Sequence, residues 1–209
     1  VGAHGSPSAK VSNEQVKFGT GAAYFDGTGS GKILVVNGRE SLKFPGDVTF
    51  ELWFYAHADT PQSGDTFMSA YDSSGDIGHG FRLGFSNSGT KVFFSCYGCE
   101  RMGGTEVTLQ TWHHYAVVRS GGAGGSVYLF LDGVVDAAVA GSHTTAWNHN
   151  QKTVSIGANE DGSGGFRGWI DEVRISKGIA RWTSTFSLRG PSPPSFNPTP
   201  APSFAPTEA

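Results

Sequence analysis

Short runs of alternating apolar and polar residues, separated by turn dipeptides, recur along most of this 209-residue chain. Alternation with a period of two is typical of strands that bury one face. Dipeptides such as Asp26-Gly27 and Asp132-Gly133 favour tight turns between them. Short strands at this spacing predict an all-β fold, a sandwich of two antiparallel sheets in a jelly roll. The runs are 22–25, 32–36, 48–55, 66–71, 80–85, 91–96, 113–119, 126–131, 134–138, 153–157 and 168–176.

Composition narrows the class of protein. The 31 glycines and the 12% aromatic content favour a β fold with many tight turns. The net charge of -3, without a basic patch, makes nucleic acid a poor candidate for a partner. No apolar run approaches the roughly 18 residues that a membrane span requires.

Three segments differ in composition. Residues 1–14 are small and polar and are predicted to be a flexible lead-in. Residues 15–190 carry the strand pattern and form the predicted domain. From Pro191 onward Ser, Thr, Pro and Ala dominate, so residues 191–209 are predicted to be an extended linker or tail, with a terminus of no particular role as the alternative.

The run 168–176 places a carboxylate among apolar residues. Simple alternation puts Asp171 on the same face as Trp169, Val173 and Ile175. A carboxylate in that position needs a charged partner, a hydrogen-bond network or a metal ion.

Four blocks together resemble the laminin-G-like jelly rolls of the concanavalin A-like lectin/glucanase superfamily. They are the opening run 18–27, the Phe-x-x-Trp-Phe pattern within 48–55, the hairpin 112–133 and the closing run 168–182. The resemblance covers about residues 15–188. It implies a sugar- or surface-binding module, although this fold serves many ligands and function depends on the site.

Paired catalytic carboxylates are missing from the sequence. Glucanases of this superfamily carry Glu-x-Asp-x-x-Glu on one strand, which places acid and nucleophile on one face. Here Asp171 and Glu172 are adjacent and face opposite ways, and Glu51 is alone in its strand. The sequence therefore predicts that the protein is not an enzyme.

A structural calcium ion is implied by the resemblance. Many relatives hold calcium between the opening turn and the closing strand, and Asp26 and Asp171 occupy the matching places. Carboxylates and backbone carbonyls are the ligands that calcium prefers. The alternative is that Asp26 caps its Asp-Gly turn and that Asp171 accepts hydrogen bonds from backbone amides.

Cys96 and Cys99 are the only cysteines. A single Cys-x-x-Cys is half of a zinc site. A small disulfide at a strand end is the favoured interpretation and fits an oxidising compartment. Two free thiols are the alternative, because so short a loop is tight for a disulfide.

Four loops have the composition of a sugar site, which pairs an aromatic face with a few polar groups. They are 71–79, 97–101, 143–150 and 159–166. Trp147 is the favoured stacking platform, whereas Trp53, Trp112, Trp169 and Trp182 are interpreted as core or edge packing. The predicted ligand-binding residues are Tyr71, Asp72, Asp76, Tyr97, Arg101, Trp147, His149 and Asn159.

These patterns predict non-catalytic recognition of a glycan or a glycosylated surface, by a module of a larger extracellular protein. The predicted location is extracellular, at a cell or virion surface. Other protein modules are further possible partners. The alternative is a structural or assembly module of an extracellular or virion protein that contacts protein rather than sugar.

Overall fold

The computed structural model describes residues 9–36, 43–59, 64–70, 80–86, 90–96, 99–122, 124–139, 147–148 and 153–188. Within these ranges the chain forms fifteen strands and no helix. The strands are β1 (Ala9–Ser12), β2 (Ala22–Asp26), β3 (Ile33–Val36), β4 (Lys43–Phe44), β5 (Val48–Ala56), β6 (Thr66–Ser69), β7 (Phe81–Phe85), β8 (Lys91–Cys96), β9 (Cys99–Glu106), β10 (Trp112–Ser120), β11 (Ser126–Leu131), β12 (Val134–Val139), β13 (Trp147–Asn148), β14 (Thr153–Ile156) and β15 (Arg167–Lys177).

The strands form two large antiparallel sheets. The seven-stranded sheet has the order β1-β2-β15-β5-β10-β11-β12, and the six-stranded sheet has the order β3-β14-β6-β7-β8-β9. A ribbon of β13 and β4 accompanies them. The all-β, two-sheet jelly-roll sandwich is therefore confirmed. The predicted tail, 191–209, lies outside the described residues.

Alternation along the strands builds the core between the sheets. Phe50 and Phe54 on β5 face Phe81 and Phe67 of the six-stranded sheet, with ring centroids 4.3 and 4.5 Å apart. All four rings are buried. Burying each such ring contributes roughly 1.5–3 kcal/mol, which makes this aromatic layer a main source of stability.

The alternation predicted for β15 breaks at a β-bulge between Asp171 and Arg174. Glu172 takes up the extra residue with a φ of 50°. Ile170 and Ile175 consequently both contact the core. The prediction that Ile175 shares a face with Asp171 was wrong, because one inserted residue reverses every later side chain.

Strand β1 lies inside the predicted flexible lead-in. Ala9 to Ser12 pair with β2, with Ala9 opposite Phe25 and Ser12 opposite Ala22. Val11 is 85% exposed, so this edge strand has no apolar alternation for sequence analysis to detect. Backbone pairing with β2 orders it instead.

The C-terminal segment, residues 178–188, covers part of the outward face of the seven-stranded sheet. Trp182 and Phe186 stack with centroids 3.8 Å apart and planes within 5°. Both pack against a small cluster that includes Ala116, Val118 and Phe130. Trp182 thus contributes to packing on the outward face and not to the core between the sheets.

A buried ion cluster lies beside this segment. Glu51 Oε1 is 3.2 Å from Arg181 Nη1 and 3.6 Å from Arg174 Nε. Glu51 Oε2 is 3.4 Å from His114 Nε2. The cluster links β5, β10, β15 and the C-terminal segment on one face. A carboxylate held between two arginines is poorly suited to acid–base catalysis.

Candidate functional site

Two loops begin side by side at one end of the six-stranded sheet. The Ala70 amide donates to the Phe81 carbonyl at 2.9 Å, which closes the base of the β6–β7 connection. Phe81 lies opposite Cys96 on the next strand, and Cys96 lies opposite Cys99. Cys96 is disulfide-bonded. The β6–β7 and β8–β9 connections therefore start next to each other.

The β4–β13 ribbon reaches the same end. Trp147 pairs with Phe44, and the Phe44 ring is 6.1 Å from that of Phe81. The side chain of Trp147 lies outside the described residues. Three of the four loops predicted to bind ligand thus have their bases at one end of the sandwich.

Arg119 anchors this ribbon from inside the fold. It is fully buried. Its Nε donates to the Gly46 carbonyl at 3.0 Å, and its Nη2 donates to the carbonyls of Phe44 and Gly46. Burial lowers the pKa of Arg119 to about 10, opposed by the charge of Asp47. The guanidinium therefore stays charged at neutral pH and fixes the position of β4.

A row of polar residues crosses the outward face of the six-stranded sheet just below these loops. Strand register places Ser69 opposite Arg82, Arg82 opposite Ser95, and Ser95 opposite Glu100. Ser155 extends the row on the far side of Ser69. The neighbours of these residues on β7 and β8 are core residues, so the row faces outward. These five residues are called the polar row.

Arg82 is the cation at the centre of the polar row. Its guanidinium carbon lies 4.5 Å from the centroid of the Phe93 ring, which is 4% exposed. Phe93 lies opposite Met102, which is 52% exposed. A cation stacked on an aromatic face loses little freedom on binding, so the ring pre-orients the guanidinium donors.

A laminin G family model, described as the concanavalin A-like lectin/glucanases superfamily, matches residues 25–181. The chain belongs to this superfamily. No curated protein matches the sequence.

Solved structures of similar fold include domain 4 of AbnA, an extracellular arabinanase from Geobacillus stearothermophilus in complex with arabinotriose. It has a TM-score of 0.58 and 19% identity, and the match covers 81% of this chain and 75% of that chain. The CBM40 of the Ruminococcus gnavus IT-sialidase, bound to α2,3 sialyllactose, has a TM-score of 0.52, 12% identity and coverages of 76% and 91%. Domains LG4-5 of the mouse laminin α1 chain have a TM-score of 0.52, 16% identity and coverages of 81% and 46%. At these identities the likeness shows the fold.

The side chains of most of the predicted ligand-binding residues lie outside the part of the chain that the structure describes. Arg101 is described. It lies opposite Phe94 and so on the other face of β9 from Glu100. Its guanidinium donates to the Glu100 carbonyl. The predicted residues whose side chains are not described are Tyr71, Asp72, Asp76, Tyr97, Trp147 and His149.

The fourth predicted loop, which contains Asn159, does not lie near the other three. Asn159 is 5% exposed and lies at the opposite end of the sandwich. Its Nδ2 donates to Ser163 Oγ at 2.9 Å, and its Oδ1 accepts from Thr66 Oγ1 at 3.3 Å. The Asn159 amide thus joins its loop to β6, and ligand binding by Asn159 stays a prediction.

The calcium site implied by the resemblance does not form around both predicted carboxylates. Asp26 lies opposite Arg167, four residues before Asp171 on β15 and so roughly 13 Å along the strand. Asp26 Oδ1 accepts from the amide and hydroxyl of Thr28 at 2.9 and 2.8 Å. The described residues contain no group of three or more His, Cys, Asp or Glu side chains that could hold a metal.

Asp171 has backbone partners for both of its oxygens. Oδ2 accepts from the amides of Lys17 and Phe18 at 3.3 and 3.1 Å, and Oδ1 accepts from the amide of Glu172 at 2.9 Å. These contacts match the alternative that the sequence left open. The two carboxylates do not fit one shared ion, and calcium at either one alone stays a prediction.

Sequence analysis missed the polar row. Arg82 and Ser95 are the outward-facing residues of two alternating strands. Glu100 lies on β9, whose Gly-Gly pair breaks the alternation by which a strand is recognised. The available signal was the polar residue between two apolar ones in 81–85 and 91–96.

Among the described residues no helix is long and apolar enough to cross a membrane.

Proposed function

We propose that this domain is a non-catalytic recognition module that binds glycans on the outward face of the six-stranded sheet. The observation that carries the proposal is Arg82, fixed on the ring of Phe93 in the middle of the polar row. The loops that begin beside this row have the composition of a sugar site.

The chemistry of the polar row suits sugar hydroxyls. Arg82 supplies donors only, Glu100 supplies acceptors only, and Ser95 supplies both. A hydroxyl is itself a donor and an acceptor, so a row of mixed character can bond neighbouring hydroxyls in both directions. Arg82 and Ser95 are partly exposed and Glu100 is exposed, so a ligand can reach them.

Stacking groups would come from the three loops at this end. Aromatic rings cover the apolar face of a pyranose, and Tyr71, Tyr97 and Trp147 are the candidates. The polar groups proposed to accompany them are Asp72, Asp76 and His149. Arg119 supports the arrangement from below, because it holds the strand that pairs with Trp147.

The alternative of an assembly module finds less support. Among the described residues the exposed large apolar side chains are spread over several elements, with Val11 on β1, Ile33 on β3, Met102 on β9, Val134 on β12, Val173 on β15, and Ile179 and Leu188 in the C-terminal segment. A protein-binding face would need such side chains to form one patch. We also propose an extracellular location in a larger protein, where an oxidising environment would keep the Cys96 disulfide.

A glycan array tests the proposal. The wild-type domain is expected to bind a defined set of glycans, and Arg82→Ala is expected to weaken that binding by about 10-fold or more. Lys177→Ala, which removes an exposed cation from the seven-stranded sheet, is the matched control and should bind as wild type does. Absence of any glycan binding by the folded wild type would overturn the proposal.

A further inference from the structure

A second feature lies on the opposite face of the sandwich. Four aromatic side chains form one continuous row across four neighbouring strands of the seven-stranded sheet. Tyr24 lies opposite Trp169, Trp169 opposite Tyr55, and Tyr55 opposite Trp112. The ring centroids are 4.9, 5.5 and 5.8 Å apart along the row. These residues are called the aromatic row.

The aromatic row faces away from the core. Its strand neighbours Phe25, Ile170 and Phe54 belong to the core cluster. Lys10 continues the row on β1, opposite Tyr24, with its ammonium 5.3 Å from that ring. With strands about 4.8 Å apart, the line from Lys10 to Trp112 spans roughly 19 Å. This is the length of several linked sugar rings.

The row lies apart from the segments that cover the rest of this face. The C-terminal segment packs against Ala116 and Val118, further along β10 from Trp112, and against Phe130 on β11. Trp53 is covered by Lys17, whose ammonium lies 3.9 Å from its ring centroid. By contrast, the rings of Tyr24, Tyr55 and Trp112 are all partly exposed.

Each member of the row pairs an apolar ring with a polar group. Trp169 is 6% exposed, and its indole N–H has no acceptor among the described residues. A buried donor without an acceptor is costly, and an oxygen would reach this N–H only if a neighbouring ring moved aside. Aromatic faces with hydrogen-bonding edges match the two sides of a sugar ring.

The shape of the row indicates what kind of ligand fits. One row of side chains is roughly 7 Å wide, which gives an aromatic strip of roughly 130 Å². A stable protein interface needs about 800 Å² from each partner, so the strip is too narrow to anchor one. On the side away from Trp53, Arg167 pairs with Asp59 at 2.7 Å, which balances the charge there. We infer that the aromatic row is a second binding site, which takes an uncharged polysaccharide chain lying across the strands.

Affinity electrophoresis in gels containing hydroxyethylcellulose or xylan tests this inference. The wild type is expected to be retarded by at least one of them. Tyr24→Ala and Trp112→Ala are expected to weaken the retardation by about 10-fold. Tyr24→Phe keeps the ring and should retain most of the binding. Lys177→Ala, at the opposite end of β15 from Trp169, should migrate as wild type does.

A measurement on the unaltered protein makes the result independent of variant folding. Polysaccharide bound on Trp112 and Trp169 should protect their fluorescence from acrylamide quenching. Lack of retardation in both gels, or retardation that is unchanged by Tyr24→Ala and Trp112→Ala, would overturn the inference. Neither result would affect the proposal for the six-stranded sheet, whose test uses Arg82.

Discussion

The two outward faces of this sandwich carry different chemistry on the same strand geometry. On the seven-stranded sheet the chain covers β10–β12 with its own C-terminal segment, through the Trp182–Phe186 stack and the Glu51 ion cluster. On the six-stranded sheet the polar row reaches solvent at Arg82, Ser95 and Glu100. Polar side chains on the first face are taken up by contacts within the fold, whereas on the other face polar side chains of the same type are accessible to the ligand that we propose.

The Glu51 cluster offers the sharpest test of this difference. Glu51→Gln removes the one anion between Arg174 and Arg181 and is expected to lower the free energy of unfolding by about 2 kcal/mol. This is less than for a fully buried pair, because both arginines are about one-third exposed, at 34% and 33%. Urea unfolding measures the effect.

The matched control is the same substitution on the other face. Glu100→Gln in the polar row is expected to change the free energy of unfolding by less than about 0.5 kcal/mol, because Glu100 is exposed. Equal losses from the two substitutions would contradict the division of roles.

Asp171 should behave as a structural acceptor of the covered face. It holds the backbone amides of Lys17 and Phe18, and their side chains cover Trp53. Asp171→Asn replaces one of the two acceptor oxygens by an NH2 donor, so at least one of the backbone amides at Lys17, Phe18 and Glu172 loses its acceptor, which should cost about 1 kcal/mol of unfolding free energy.

Thermal melts with chelator and with added calcium separate this role from metal binding. If backbone amides are the main partners of Asp171, the loss in the variant should be the same in both conditions. A loss seen only with calcium present would show that Asp171 binds the ion. Asp26→Asn, measured in parallel, tests the other predicted ligand.

Titration of His113 should change the free energy of unfolding and should not affect the polar row. Burial disfavours the charged ring of His113, but the bond to Asp132 at 2.6 Å and the carbonyl of Thr108 raise its pKa above 6.5. Burial also opposes the charge of Asp132, yet its bonds to His113 and to the His114 amide lower the pKa of Asp132 below 3.8.

The directions of these two pKa shifts set the pH range in which the His113–Asp132 pair stabilises the fold. The contribution of His113 is complete below pH 6.5 and is lost as pH rises through its raised pKa. The contribution of Asp132 is present above pH 3.8 and is lost as pH falls through its lowered pKa. Urea midpoints should therefore be higher near about pH 5.5 than near about pH 8. Asp132→Asn should reduce this difference, and an unchanged pH profile would contradict the assignment.

Much of the fold was predictable because local alternation encodes it. Strands β5, β7, β8, β10 and β11 fall where the pattern places them, since each directs apolar side chains into the core at alternate positions. Strand β9 was missed because Gly103 and Gly104 carry no side-chain pattern. A Cβ at Gly103 would lie 1.9 Å from the carboxylate of Asp136, so that side chain would have to move.

The candidate site was less predictable because it depends on pairing between distant strands. Ser155, Ser69, Arg82 and Glu100 join one row only through the register of five strands. The grouping of three loops also depends on the Phe44–Phe81 contact. Loop composition suggested the kind of ligand, whereas the sheet determines which of its residues lie beside those loops.

Mapping a bound glycan onto the domain tests the central claim most directly. A glycan selected on the array would be titrated into isotope-labelled protein, and backbone amide shifts would be recorded by NMR. The account predicts that the largest shifts fall at Arg82, Ser95 and Met102 and are lost in Arg82→Ala. Shifts confined to the seven-stranded sheet, with the polar row unperturbed, would contradict it.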